Sequence, residues 1–507
     1  MLDYGRPMRM LLVELTPDDP LRRFRTNAYP FLMGLARLLG AQASWCALGV
    51  RFQPTLRYRL EPADLKLLLC ELRRCRSDVV IINERLDDDQ WARLGAACRG
   101  GHLAYCSLGE TFPNLGAFVR TALPAADPAV LEDPRLLDRI EPDFRRRVLN
   151  QAPWAADPVM RLSDGVPCAY RRPLAQNPFY RGLSLPPGAM GCAFCGTMMV
   201  HERMPVADPL AFLLKQVRAA CRLPAGKERL FEVQGSGVWT RLDSFLAELL
   251  RLGLRRAQFC FAPRVDELLA ARRVLERRLP ALARRELSLR FYTMGVENFS
   301  AAENQRLNKG LTARQVHEAV DFVCAMTARW PRAFRFSKGD MSMILFTPWT
   351  TLADLRINIR HIRRCAWIDP PAALGKRLQL FKGRPITLLA QRDGLVVKKG
   401  DDHFYNSGCM PGFDQGEVPW RFARPEVAVL YRFARRISAD GGIPSDDAES
   451  RAITEFLISR DHHTPQLLAL FEEAVKALER RPRTDSVAGL LKLLRSTPLP
   501  ARAGLIV

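Results

Sequence analysis

Residues 78–83 (DVVIIN) place four apolar side chains in succession between two polar ones. A strand with one face in water alternates apolar and polar residues, whereas a strand that is covered on both faces does not. The run therefore predicts a central strand of a parallel sheet that carries helices on both sides.

The sequence around this run repeats a pattern of short strand and helix. Further apolar runs lie at 10–14, 44–50 and 102–106, and helical periodicity is seen at 29–39, 62–74 and 87–98. Such alternation predicts a doubly wound α/β sheet, whose ligands bind at the carboxyl ends of the strands. We assign residues 1–125 to this domain.

Three regions follow the first domain. Residues 126–184 are rich in Pro and Asp and have weak periodicity, which predicts an irregular linker. From 185 to 400, strand and helix patterns alternate again, which predicts a partial or full α/β barrel with its chemistry at the carboxyl ends of the strands. Residues 401–507 are predicted to be mostly helical. The predicted barrel strands lie at 230–234, 256–262, 287–295 and 341–347. The predicted helices of this region lie at 209–221, 241–252, 265–279, 313–327 and 351–365.

The composition indicates a folded protein of several domains. The 507 residues are 48% hydrophobic and 26% charged, and no charge-free apolar run is long enough for a membrane helix. The first residues lack the layout of a signal peptide, and the 13 cysteines are too scattered for a disulfide framework. We therefore expect a soluble, cytoplasmic protein without a membrane partner.

The charge balance is strongly basic, with 76 Lys and Arg against 54 Asp and Glu. An excess of this size suits a polyanionic partner such as RNA. The basic residues are nevertheless scattered, and a coding bias toward G and C would enrich Arg in the same way. We therefore do not favour a nucleic-acid partner, and a polyanion-binding RNA modifier is our third hypothesis.

A pair of closely spaced cysteines opens the predicted barrel. Cys192 and Cys195 lie in the glycine-flanked loop 191–196 (GCAFCG), where two thiolates can hold one metal centre together. Half of a zinc site, a thiol redox pair and two unrelated thiols are the alternatives. No second close pair follows, and His201 is the only imidazole nearby.

The context of this loop resembles the radical S-adenosylmethionine superfamily. Residues 295–298 (GVEN) and 307–312 (LNKGLT) resemble the family's G-[IV]-E-[SN] turn and its L-x-K-G-x-T stretch. Similar matches at 231–254, 343–355 and 377–395 extend the resemblance over about 190–395. The N-terminal sheet resembles the cobalamin-binding domain of the cobalamin-dependent branch, although that domain's D-x-H-x-x-G signature is absent.

The resemblance implies an enzyme that uses a [4Fe–4S] cluster and S-adenosylmethionine, with cobalamin as a further cofactor. Cleavage of S-adenosylmethionine would yield a 5′-deoxyadenosyl radical that abstracts a substrate hydrogen, and cobalamin would add methyl transfer or rearrangement. The substrate would be a small molecule or a peptide, and the electron donor a flavodoxin or a ferredoxin.

Four residues are implied as cofactor contacts. Gly235, Ser236 and Gly237 would approach the methionine carboxylate through backbone N–H groups, and a plain strand-to-helix turn is the alternative. Glu297 would contact the ribose or the amine, and a helix-capping carboxylate is its alternative.

The sequence departs from the family at one ligand. The first Cys of the family's C-x3-C-x2-C motif falls on Gly188, so a third thiolate must come from elsewhere. Cys168 is our candidate metal ligand; the alternatives are a core role for it, a cluster held by two Cys and another ligand, or no cluster. In the last case the chain is a non-catalytic relative that binds a ligand or a partner. We considered Arg264 as a carboxylate partner and Cys409 as a loop thiol, and favoured neither.

Overall fold

A computed structural model describes most of the chain. Among the described residues, no helix is both long and apolar enough to cross a lipid bilayer. The described residues are 7–18, 28–51, 58–98, 102–105, 133, 135–152, 159–195, 206–223, 228–337, 339–365, 368–398, 417–438, 452–453, 455–456 and 467–496.

In its described part, the N-terminal unit consists of five parallel strands and their helices. The strands are β1 (Arg9–Pro17), β2 (Gln42–Val50), β3 (Val79–Ile82), β4 (His102–Tyr105) and β5 (Arg147–Val148). The helices are α1 (Ala28–Leu38), α2 (Pro62–Cys75), α3 (Asp88–Ala97) and α4 (Leu136–Arg139). The strand order is β4-β3-β1-β2-β5, which confirms the predicted doubly wound sheet.

Both faces of this sheet are covered by apolar side chains. All four residues of β3 are buried. Met10 packs in the apolar cluster of α1, whereas Leu11 packs in the cluster of α2 on the opposite face. Because the chain winds away in opposite directions from β1 and β3, a crevice for ligands is expected between their carboxyl ends. Asn83 joins the two strands there: its Oδ1 accepts from the Leu15 N–H at 2.7 Å, and its Nδ2 donates to the Leu15 carbonyl at 3.1 Å.

A second parallel sheet forms a partial barrel. Its strands are β6 (Val159–Ser163), β7 (Arg229–Gln234), β8 (Ala257–Phe261), β9 (Leu287–Phe291), β10 (Met294–Glu297), β11 (Phe334–Arg335) and β12 (Met341–Met343). The order β11-β9-β8-β7-β6 defines one ladder, and β10 pairs with β12 beyond it. A parallel bridge between Phe346 and Arg377 extends the wall further.

Helices surround this barrel. Their bounds are α5 (Pro209–Cys221), α6 (Gly237–Thr240), α7 (Leu242–Arg251), α8 (Val265–Arg284), α9 (Ala301–Arg306), α10 (Ala313–Arg329), α11 (Leu352–Arg364), α12 (Pro370–Leu374) and α13 (Pro385–Arg392). Aromatic residues such as Phe231 and Phe259, with ring centroids 4.8 Å apart, pack between the strands and the helices. The opposite face of the sheet carries polar residues: Arg161 and Tyr292 both donate to Glu232, at 2.8 and 2.5 Å.

The structure differs from the predicted irregular linker at 126–184. This segment contributes β5 to the first sheet and β6 to the second, so the barrel begins before residue 185. The two strands are only two and five residues long and lie among prolines, which hides their periodicity in the sequence. A strand predicted at 287–295 is divided at Tyr292 and Thr293, because Thr293 adopts a left-handed φ of 50°.

The N-terminal unit packs directly against the barrel. The Phe31 ring of α1 lies 5.3 Å from the Phe212 ring of α5. Lys215 of α5 donates to the carbonyl of Ile140 at 2.8 Å and to two further carbonyls at the end of α4. These carbonyls lack partners within their own helix, so the ammonium satisfies a helix terminus across the interface.

Three helices close the described part of the C-terminal region. They are α14 (Pro425–Ile437), α15 (Leu467–Arg480) and α16 (Val487–Arg495). Arg363 of α11 pairs with Glu472 of α15, and an apolar core continuous with that of the barrel lies beneath. The predicted helical C-terminal region is therefore confirmed in its described part. Cys409 lies outside the described residues.

Candidate active site at the carboxyl ends of the barrel strands

The loop that carries the paired cysteines is fixed from two sides. The Cys195 N–H donates to the Cys192 carbonyl at 3.1 Å, which closes a turn. The intervening Ala193 is fully buried; its N–H donates to the Leu307 carbonyl at 2.9 Å, and its carbonyl accepts from the Ile386 N–H at 3.2 Å. The loop is thus held between the segment after β10 and the start of α13.

Asn308 fastens the same loop through its side chain. Its Nδ2 donates to the Gly191 carbonyl at 2.6 Å and to the Arg172 carbonyl at 3.2 Å, and its Oδ1 accepts from Asn177 at 3.0 Å. Asn308 is fully buried and adopts a left-handed φ of 50°, a conformation that Asn tolerates better than most residues. The LNKGLT stretch therefore has a definite role in positioning the cysteines.

Arg264 contacts the first cysteine of the pair. Its Nη1 donates to the Cys192 Sγ at 3.5 Å, and its Nη2 donates to the Lys309 carbonyl at 3.1 Å. The guanidinium also pairs with Asp266 at 2.9 Å and lies 3.9 Å from the centre of the Tyr170 ring. Burial raises the pKa of Cys192 to about 11, although the charges of Lys309 and Arg264 favour its thiolate.

A buried ion pair lies beside this contact. The Lys309 Nζ lies 2.8 Å from the Glu297 Oε1, and both side chains are less than a tenth exposed. Burial disfavours the ammonium, but the charges of Glu297 and Cys192 and the hydrogen bond to Glu297 together outweigh it, so the pKa of Lys309 is raised. Glu297, proposed from the sequence as a cofactor contact, thus already has a partner in the chain. The alternative cap role belongs instead to Ser300, which accepts from the Glu303 N–H at 3.5 Å.

The Gly235–Gly237 turn follows β7 at the same end of the barrel. The Ser236 N–H donates to the Val166 carbonyl at 3.1 Å, and the Val238 N–H donates to the Asp164 Oδ2 at 2.7 Å. The sequence predicts that the N–H groups of Gly235, Ser236 and Gly237 face a methionine carboxylate. In the structure, the N–H groups of Ser236 and Gly237 bond the segment that follows β6.

Cys168 lies in the same segment. Its thiol is half-buried; burial raises its pKa, the charge of Arg264 lowers it, and the charge of Cys195 raises it again. Cys168 is therefore within electrostatic range of both Arg264 and the cysteine loop. Gly188, where the family has its first Cys, adopts a left-handed φ of 68°.

The residues of this site supply two of the three protein ligands that are expected for the iron–sulfur cluster. Cys192 and Cys195 present two thiols from one rigid loop, and the cations of Arg264 and Lys309 would offset the negative charge of a thiolate-bound cluster. The buried Nε of Arg384, which interacts electrostatically with Cys195, has no hydrogen-bond partner among the residues that the structure describes. In the part of the chain that the structure describes, no three His, Cys, Asp or Glu side chains are arranged to hold a metal ion. A complete set of three ligands is therefore not preformed among the described residues.

Three residues of this site were not singled out, or not favoured, from the sequence. Lys309 lies within the LNKGLT stretch, and the sequence alone does not favour Arg264 over the many other arginines. Asp164 gave no signal beyond its place directly after a short strand. His201 lies outside the described residues.

The architecture, a doubly wound sheet followed by a partial barrel, is shared with solved structures. The chain is similar to two structures of OxsB, a cobalamin-dependent S-adenosylmethionine radical enzyme. With the apo form the TM-score is 0.52 at 13% identity, over 96% of this chain and 75% of that chain. With the form that has aqua-cobalamin bound the TM-score is 0.51, at the same identity and coverage.

The similarity is one of fold, and it confirms at that level the resemblance drawn from the sequence. No protein-family model and no curated protein matches the chain.

Proposed function

We propose that the chain is a radical S-adenosylmethionine enzyme whose cluster is held by Cys192, Cys195 and Cys168. The observation that carries this proposal is the rigid Cys192–Cys195 loop at the carboxyl ends of the barrel strands, where Arg264 and Lys309 supply positive charge. A fold shared with OxsB supports it. When bound and reduced, such a cluster supplies the electron that cleaves S-adenosylmethionine.

The chain's own residues would prepare this chemistry by charge and by exclusion of water. Arg264 donates to the Cys192 sulfur and would stabilise it as a thiolate ligand. Lys309 and Glu297 form a buried pair directly beside it, so the site combines a low local dielectric with fixed charges. The loop backbone, held at Ala193 and Gly191, keeps the two cysteines within electrostatic range of each other.

The N-terminal sheet would hold cobalamin in the same protein. The crevice between the carboxyl ends of β1 and β3 is the expected place, and contacts there would be backbone and apolar ones after Glu14, Val50 and Asn83. With cobalamin the reaction would be a methyl transfer or a rearrangement of a small-molecule or peptide substrate, with a flavodoxin or ferredoxin as electron donor. The chain would act in the cytoplasm.

Anaerobic reconstitution with iron and sulfide tests the proposal. The wild-type chain should show a [4Fe–4S] spectrum and should release 5′-deoxyadenosine from S-adenosylmethionine in the presence of a reductant. Cys192→Ala and Cys195→Ala should lose both properties. Cys221→Ala, at a half-buried thiol on α5, is the matched control and should retain both. Wild-type protein that takes up no iron, or only zinc, would contradict the proposal.

A non-catalytic relative is the second candidate, and two observations favour it. Gly188 replaces the first ligand, and the described residues present no preformed three-ligand set. Such a protein would bind S-adenosylmethionine or another ligand without cleaving it. If iron-free protein still binds S-adenosylmethionine in a calorimetric titration, the result would support the non-catalytic function.

A further inference from the structure

Asp164 lies at the junction of two strand ends without being part of any motif of the sequence. It follows β6 directly and is 1% exposed. Its Oδ1 accepts from the Val166 N–H at 2.8 Å, and its Oδ2 accepts from the Val238 N–H at 2.7 Å. The Gly237 N–H also bonds this carboxylate. One side chain thus collects three backbone donors from two segments.

The glycines of the turn are explained by this carboxylate. A Cβ on Gly235 would lie 1.8 Å from the Asp164 Oδ1, and Gly235 has a φ of 111°, which side-chain-bearing residues rarely adopt. A Cβ on Gly237 would lie 2.6 Å from a methyl carbon of Val166 and 3.1 Å from the Asp164 Oδ2. Because neither position carries a side chain, the Asp164 carboxylate can lie directly against the backbone of the turn.

We infer that Asp164 is the positioning residue of the Gly235–Gly237 turn, and that it fills the place among the N–H groups that a ligand carboxylate would otherwise take. The turn is then a preformed element whose shape Asp164 fixes, and its donors at Gly237 and Val238 are not available to an anion. Asp164 acts through the turn and does not touch the reacting groups. The functional part of this inference rests on the proposed use of S-adenosylmethionine at this end of the barrel.

Burial and hydrogen bonding agree with this role. Three N–H donors to one carboxylate are charge-assisted bonds, which are stronger than neutral ones. Burial nevertheless raises the pKa of Asp164 to about 6, so these bonds offset only part of the cost of the buried charge. An apolar replacement would leave three N–H groups without this acceptor, and the one of Val238 is buried.

Hydrogen–deuterium exchange of the full-length chain tests the inference without any cofactor. In Asp164→Ala, the amides of Val166, Gly237 and Val238 should exchange about tenfold faster or more, since each loses a charge-assisted bond. Sodium formate should slow them again, because formate supplies the missing carboxylate. Asp143→Ala is the matched control: Asp143 is also a buried acceptor of a backbone N–H, from Arg145 at 3.0 Å, but lies far from the turn in sequence. It should leave these amides unchanged.

Asp164→Asn provides a second variant that retains the side-chain shape. The asparagine NH2 takes the place of one carboxylate oxygen and must therefore face an N–H donor. The amides of the turn should again exchange faster, while the fold is retained. A calorimetric titration with S-adenosylmethionine should then show at least about tenfold weaker binding than wild type.

The outcomes separate the two proposals. Unchanged exchange in both Asp164 variants would overturn the inference, and so would faster exchange with unchanged affinity for S-adenosylmethionine. If the exchange and the formate effect are as expected but wild-type protein binds no S-adenosylmethionine, the proposed function fails and the role of Asp164 in shaping the turn stands.

Discussion

Lys309 and Glu297 form an ion pair of 2.8 Å that is almost fully buried at the mouth of the barrel. Gly295 makes room for it, because a Cβ there would lie 2.3 Å from the Glu297 Oε1 and 2.7 Å from the Lys309 Nζ. The GVEN and LNKGLT stretches, separate in sequence, thus become one structural unit. The cysteine loop is attached to the same unit through Leu307 and Asn308.

Loss of one partner of this pair should be costly. Lys309→Met would leave Glu297 buried and unpaired, and we expect a loss of about 3–5 kcal/mol in the free energy of unfolding, measured with urea. Lys309→Met combined with Glu297→Gln should recover much of this loss. Arg314→Met removes an exposed pair with Glu318, of 83% and 45% side-chain exposure, and should cost less than about 1 kcal/mol. Equal losses for Arg314→Met and Lys309→Met would contradict the assignment.

The third cluster ligand can be tested separately from the other two. If Cys168 completes the site, Cys168→Ala should lower the iron content of reconstituted protein as much as Cys192→Ala does. Cys168→Ser should retain a part of it, since a hydroxyl is a weaker ligand than a thiolate. Iron content that is unaffected by both substitutions would give Cys168 a packing role.

The N-terminal sheet should bind hydroxocobalamin in the full-length chain. A coloured complex should persist through gel filtration, and it should persist equally in Cys192→Ala, because the crevice of the sheet is separate from the cysteine loop. Colourless full-length protein after incubation with excess cobalamin would leave the sheet as a scaffold.

Acid should weaken the contact between α10 and α11. The His317 Nε2 and the His361 Nδ1 lie 2.8 Å apart, and burial, together with nearby positive charge, lowers the pKa of both imidazoles. The unfolded chain, with the ordinary histidine pKa of 6.5, therefore binds protons that the folded chain does not. The stability that the neutral pair contributes is present above pH 6.5 and decreases as the pH falls below it.

Urea unfolding at about pH 8 and about pH 5.5 measures this effect. Wild-type protein should lose more stability between these two pH values than the double variant His317→Gln/His361→Gln. The same loss in both proteins would assign the acid sensitivity to other groups.

The helices and strands that the sequence predicts correctly are those with a clear hydrophobic pattern within one short segment. The apolar run at 79–82 is β3, and the helix at 209–221 begins and ends where its periodicity does. The helix at 265–279 was expected to end before Pro280, but α8 continues to Arg284. Buried Leu275 and Leu282 lie on either side of the proline, so tertiary packing outweighs its helix-breaking tendency.

The site was predicted only where its residues belong to continuous motifs. The partners that complete it are distant in sequence: Arg264 lies 72 positions from Cys192, and Asp164 lies 74 positions from Val238. No periodicity or spacing rule connects such pairs, because they meet only when neighbouring strands end side by side. The sequence marks the glycines at 235 and 237 as a turn, but it does not indicate the Asp164 carboxylate that requires them.

The contact between Lys215 and the end of α4 limits how this protein could be recombined with its relatives. An exchange of residues 1–125 would keep the Lys215 ammonium with its carbonyls, but it would separate β5 from β2 and Phe212 from Phe31. A junction between 149 and 158, after β5 and before β6, would keep the first sheet whole but would separate the Lys215 ammonium from those carbonyls. A chimera joined there therefore needs an incoming sheet whose last helix offers its carbonyls to Lys215.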